Sequence, residues 1–125
     1  MELVVSSITQ RGDFFLKIEF KQVRSTLVVK LSGEFDMMIA DKLRREIDSR
    51  LDSKQISNLI INLEKVTFID SSGLGVIIGR YKKINSQKGH MYIVGASPSI
   101  EKILIFSGIN KLIPIYKNEQ DIINI

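Results

Sequence analysis

The sequence predicts an α/β sandwich, a mixed sheet of about four to five strands backed by α-helices. Three observations predict it. Apolar residues alternate with polar ones from Phe14 to Phe20, the period of a strand with one buried face, and a second such stretch runs from Leu27 to Leu31. Leu59-Ile60-Ile61-Asn62-Leu63 is a nearly continuous apolar run, as in a central strand covered on both faces. Between and after these stretches, apolar residues recur three and four apart, the spacing of helices with one buried side.

Met1 to Asp13 lacks such a period and is expected to be a flexible extension, residues 1–13, ahead of one domain at 14–125. Phe14, Leu16, Ile18 and Phe20 should face the core from the first strand. The polar stretch Lys21 to Ser25 turns the chain into Leu27, Val29 and Leu31, so the two strands pair as an antiparallel hairpin. After Ser32-Gly33, Asp36 is placed to cap a helix that buries Ala40, Leu43, Ile47 and Leu51; with Ile39 three residues on, no capping box forms. The central strand follows, and Val66, Phe68 and Ile69 are expected to pack the approach to Asp70.

From about Ser72 a helix should turn Leu74, Ile77, Ile78, Tyr81 and Ile84 inward, with Arg80, Lys82 and Lys83 in its second half, where positive charge suits the macrodipole. Met91 to Val94 is the next strand, and strand, helix, strand at this spacing is a parallel crossover with Ser71 at the carboxyl edge of the sheet. Ser97-Pro98 opens a helix that buries Ile100, Ile103, Leu104 and Phe106 and stops at Gly108. Leu112 to Tyr116 is an edge strand, and Asn118 to Ile125 a last short helix.

Composition excludes several function classes. At 125 residues, 44% of them hydrophobic and 26% charged, the chain has the balance of one globular domain. Cysteine is absent, which removes disulfides and thiolate chemistry and suits a reducing cytoplasm. His90 is the single histidine, and no ligand spacing around it suggests a metal. Apolar runs fall well short of the roughly 20 residues of a membrane span, and no signal-peptide order is present. The net charge of +4 is scattered, as on a solvated surface rather than a nucleic-acid patch.

Chemistry concentrates at Asp70-Ser71-Ser72-Gly73, between the end of a strand and the start of a helix. A serine hydrolase would need a leading glycine that this junction lacks, and His90 falls at the opposite edge of the sheet. Gly73, Gly75 and Gly79 miss the dinucleotide spacing and no Gly-Lys-Ser/Thr follows, so Gly75 and Gly79 read as permitting close helix packing. Two readings remain on spacing alone: Ser71 and Ser72 cap the helix, or one of them accepts a phosphate, which a helix start tolerates while the surface changes sign.

Phe68 to Lys82 resembles the phosphorylation-site segment of the STAS-domain anti-sigma factor antagonists, and Arg80-Tyr81-Lys82 favours their sporulation members. Leu31-Ser32-Gly33-Glu34-Phe35-Asp36, Ile60 to Glu64, Ala96-Ser97-Pro98 and Phe106-Ser107-Gly108-Ile109 match further family segments, so the resemblance spans about Leu16 to Tyr116. It implies a STAS-type fold, Ser71 as the phosphoacceptor, and a partner surface including Asp36, Asp70, Ser71, Ser72 and Gly73. It also implies the partners. Unphosphorylated protein would bind an anti-sigma factor that is a serine kinase, freeing a sporulation sigma factor; phosphorylation at Ser71 would release it, and a PP2C-type phosphatase would reset it. No catalysis, cofactor or direct nucleic-acid contact is implied. General-stress antagonists and stressosome-like scaffolds share the fold and are the alternative.

Overall fold

The structure, a computed structural model, describes residues 4–11, 14–52 and 55–123. In chain order the elements are β1 (Val4–Arg11), β2 (Phe14–Val23), β3 (Thr26–Phe35), α1 (Met37–Leu51), β4 (Asn58–Ile69), α2 (Ser71–Ser86), β5 (Met91–Val94), α3 (Pro98–Ser107), a 3-10 turn at Ile109–Lys111, β6 (Ile115–Tyr116) and α4 (Gln120–Ile123). The strands form one sheet in the order β1-β2-β3-β4-β5-β6. The first three strands pair antiparallel, and β3 through β6 pair parallel.

The expected α/β mixed sheet is present, with one strand more than expected. Val4 to Arg11 is not an extension outside the fold: it pairs with β2 from Val4 opposite Lys21 to Arg11 opposite Phe14. Val4, Val5, Ile8 and Thr9 are β-branched, which suits a strand, yet they do not alternate with polar residues, so a search for period two passes over them. The remainder of the expected extension, residues 1–3 and 12–13, lies outside the described residues.

Alternation along the strands separates two faces. Leu27, Val29 and Leu31 of β3, Leu59, Ile61 and Leu63 of β4, and Met91 and Ile93 of β5 join one core with Leu43 and Ile47 of α1, Ile77 and Ile84 of α2, and Ile100 and Leu104 of α3. Val28, Ile60 and Val94 point the other way and pack with Tyr92, Tyr116 and Ile122 of α4. Glu119 secures that C-terminal segment: one carboxylate oxygen accepts from Lys21 at 3.2 Å and the other from Asn62 at 2.8 Å. Phe106 departs from expectation. It stands 96% exposed, because two residues beyond the buried Leu104 is the far side of a helix.

β3 and β4 both run longer than the apolar pattern suggests. Their register slips between Lys30 and Ser32 and again between Gly33 and Glu34, where Gly33 takes a φ of 110°. Pairing then resumes and brings Phe35 opposite Ile69 at the carboxyl edge. The next residues, Asp36 and Asp70, therefore begin two helices side by side.

Candidate functional site

Each helix start is capped by the aspartate that follows its strand. Asp36 accepts the Met38 N–H at 3.0 Å and opens α1. Asp70 does more. Its Oδ1 accepts the N–H groups of Ser72 at 2.9 Å and Gly73 at 3.1 Å, and its Oδ2 accepts the Met37 N–H at 3.1 Å. One carboxylate thus holds the first turn of α2 and ties it to the first turn of α1. The Asp70 N–H also donates to the Phe35 carbonyl at 3.3 Å, joining the two strand ends below.

This arrangement decides what the hydroxyls do. Asp70 supplies the cap, so neither Ser71 nor Ser72 is the N-cap residue. Ser71 is the first residue of α2, exposed, and its hydroxyl makes no hydrogen bond among the described residues. Ser72 is half-buried and faces α1. Gly73 is buried, and there a side chain is sterically barred: a Cβ would lie 2.7 Å from the Phe35 carbonyl oxygen and 2.9 Å from Ile69 Cγ1. The five residues Asp36, Asp70, Ser71, Ser72 and Gly73 all fall at this junction.

Three residues that the sequence did not single out for this site border it. Met37 and Met38 are 71% and 68% exposed, and Phe68 is 45% exposed instead of packing the approach to Asp70. In β4 the inward positions near its end are Val66 and Ile69, which leaves Thr67 and Phe68 outside. Exposed apolar side chains therefore border the junction alongside its two carboxylates.

From the junction a groove of about 470 Å³ runs between α1 and α2, bordered by Met37, Ala40, Ser72, Gly75, Gly79 and Arg80. Gly75 and Gly79 do not mediate close packing, since a Cβ at either meets nothing within 4 Å. They leave the groove open. At its far end Arg80, in the second half of α2 as expected, is buried and places Nε 2.9 Å from Asp48 Oδ1 of α1, an ion pair not aligned as a hydrogen bond. Burial holds the Arg80 guanidinium below the usual arginine range; Asp48 opposes that shift and nearby Arg44 adds to it. Lys83 and Arg44 lie 3.8 Å and 4.0 Å from the same Asp48 carboxylate.

His90 sits where β5 begins, its carbonyl accepting the Leu59 N–H at 3.0 Å beside the start of β4. Ser71 follows the other end of that strand, roughly 35 Å away by strand rise. Ser71 and His90 therefore cannot pair. Among the described residues no group of three or more His, Asp or Glu could hold a metal ion, and no helix is long and apolar enough to cross a membrane.

Comparison with known proteins adds to this geometry. The STAS domain model matches residues 17–122. The anti-sigma F factor antagonist of Paenibacillus polymyxa is 41% identical over 104 residues, covering 83% of this chain and 89% of the relative. Among solved structures, the anti-sigma factor antagonist SpoIIAA in its unphosphorylated form superposes with a TM-score of 0.74 at 24% identity, over 96% of this chain and 94% of that one. The Bacillus cell fate determinant SpoIIAA in its phosphorylated form gives a TM-score of 0.68 at 24% identity, over 96% and 97%. The two solved structures share the fold of this chain. With the family model spanning most of its length and a relative at this identity, the chain belongs to the STAS-domain family, among the anti-sigma factor antagonists.

Proposed function

We propose that this chain is a partner-switching regulator of a sporulation sigma factor, with Ser71 as its phosphoacceptor. Unphosphorylated, it binds an anti-sigma factor that is also a serine kinase, through the junction of Asp36, Asp70, Ser71, Ser72 and Gly73, and the sigma factor goes free. The kinase phosphorylates Ser71 and loses its grip; a PP2C-type phosphatase restores the binding form. The chain acts in the cytoplasm as substrate and ligand, without catalysis or cofactor of its own.

The observation that carries this reading is the division of labour at the start of α2. Asp70 caps the helix, so the Ser71 hydroxyl is exposed and uncommitted. A phosphate there adds about −1.5 to −2 charge and three strong acceptors. The helix dipole tolerates it, but the Ser72 and Gly73 N–H groups are already given to Asp70. The phosphate therefore stays hydrated, beside two carboxylates and among Met37, Met38 and Phe68. A surface suited to apolar contact becomes a hydrated anion, while the fold beneath it is unchanged.

Incubation with ATP and the cognate anti-sigma kinase, followed by intact-mass spectrometry and fragmentation, tests the reading. One phosphate on Ser71, absent from Ser71→Ala, is expected. An active kinase that leaves the chain unmodified would reduce it to a non-switching STAS scaffold.

A further inference from the structure

The junction holds two thioethers that phosphorylation does not use. We propose that Met37 and Met38 form a peroxide-sensitive modification site, and that their conversion to sulfoxides weakens kinase docking independently of Ser71, a control that rests on the partner reading above. Both side chains are largely exposed, at 71% and 68%, whereas Met91 is buried at 4% in the core. An oxidant reaching the native protein therefore meets the thioethers beside Ser71 and not the one in the core.

The chemistry is oxygen transfer from a hydroperoxide, with hydrogen peroxide the simplest. A lone pair on Sδ attacks the terminal oxygen, the O–O bond breaks, an S–O bond forms, and the remaining oxygen leaves with the proton as water. Sulfur gives up two electrons and the peroxide takes them. The flexible apolar side chain becomes a polar, chiral one.

Position makes that change matter. The Met37 N–H donates to Asp70 Oδ2 at 3.1 Å, so Met37 is one hydrogen bond from the residue that precedes Ser71. A kinase that reaches the Ser71 hydroxyl must come down beside both methionines. The first-turn donors that could satisfy a sulfoxide oxygen are taken: Met37 N–H by Asp70, Met38 N–H by the Asp36 side chain, and Ile39 and Ala40 N–H by the Asp36 carbonyl. The sulfoxide oxygens must keep their water or be buried without a partner. The fold is spared, because the bonds made by these residues are backbone bonds and their side chains lie outside the core.

The test exposes the full chain to hydrogen peroxide, maps the oxidised methionines by peptide mass spectrometry, and measures the Kd for the purified anti-sigma F factor of the same organism. Sulfoxide is expected at Met37 and Met38 while Met91 stays reduced, with affinity lower by roughly tenfold or more and the urea midpoint unchanged. Methionine sulfoxide reductases A and B should restore binding. The Met37→Leu/Met38→Leu double variant, whatever its own affinity, lacks the thioethers, so its Kd should be the same before and after peroxide. Unchanged affinity with both sulfoxides present, prior oxidation of Met91, or an equal peroxide effect on the double variant would each overturn the proposal. Failure of the untreated chain to bind is a separate result: it sinks the partner reading, and this control with it.

Discussion

Asp70 and Met37 join the two helix starts: Asp70 Oδ2 accepts the Met37 N–H at 3.1 Å while its Oδ1 holds Ser72 and Gly73. The residue beside the proposed phosphoacceptor is thus also a structural brace, so one carboxylate ties α1 to α2 next to Ser71.

Substitutions at Asp70 should separate the two oxygens. Asp70→Ala removes the α2 cap and the tie to α1 together, at a cost of about 2 kcal/mol, the upper range for an N-cap. Asp70→Asn can keep its oxygen on Ser72 and Gly73 but must then turn an amide N–H₂ toward the Met37 N–H. It should lose about 1 kcal/mol, the worth of one hydrogen bond. Urea unfolding of the three proteins orders them; equal stability of Asp70→Asn and the parent would show that the tie to Met37 contributes nothing.

Gly73 and Gly75 should respond to alanine with opposite signs. Both changes raise intrinsic helix propensity by roughly 1 kcal/mol. At Gly73 the added Cβ meets the Phe35 carbonyl oxygen at 2.7 Å, a backbone atom that cannot swing aside, so Gly73→Ala should be net destabilising by about 1–3 kcal/mol. At Gly75 it meets nothing within 4 Å, so Gly75→Ala should stabilise by about 0.5–1 kcal/mol. Thermal melts decide both, and a destabilised Gly75→Ala would mean that the groove is narrower than it appears.

The ion pair across the groove should be asymmetric to mutation. Asp48→Asn leaves the buried Arg80 without its counter-charge, and about 3 kcal/mol should be lost. Arg80→Met leaves Asp48 with Lys83 at 3.8 Å and Arg44 at 4.0 Å, at a carboxylate a quarter exposed, so its cost should be nearer 1 kcal/mol. Chemical denaturation of the two variants and their double mutant gives the order; a larger loss in Arg80→Met would contradict it.

What the sequence made legible follows from which signals are local. The period-two strands, the caps at Asp36 and Ser97, the stop at Gly108 and the parallel crossover depend on neighbours in sequence, and each is present. Asp70 and Ser71 stand out in the sequence because Asp-Ser-Ser-Gly at a strand end is itself a local pattern. Which of its three polar side chains caps α2 was not legible, since Asp and Ser cap equally well and the choice depends on where β4 stops. Met37, Met38 and Phe68 were missed because an exposed apolar residue looks, in sequence, like a buried one. The charge of Arg80 gives no sign of burial in the sequence, and only the approach of α1 shows that Asp48 allows it inside. Close packing, expected of Gly75 and Gly79, falls instead on Gly73 for the same reason: the contact made by Gly73 is with Phe35, 38 positions earlier in the chain.

Ser71 should be nearly silent in stability and decisive in binding. Its hydroxyl makes no hydrogen bond among the described residues and its side chain is exposed, so Ser71→Ala should change unfolding free energy by no more than about 0.5 kcal/mol. The variant should bind the anti-sigma kinase like the parent, take up no phosphate, and behave as permanently active. Ser71→Asp carries one added charge where phosphoserine carries about −1.5 to −2, so it should weaken binding only partially. Because the effect is electrostatic at an exposed site, part of it should disappear as salt rises above physiological strength. Titrating both variants against the kinase at low and high salt separates the outcomes. A Ser71→Ala protein that folds normally but cannot bind would make the hydroxyl a contact rather than a switch. A Ser71→Asp protein with parental affinity at every salt concentration would remove charge from the mechanism.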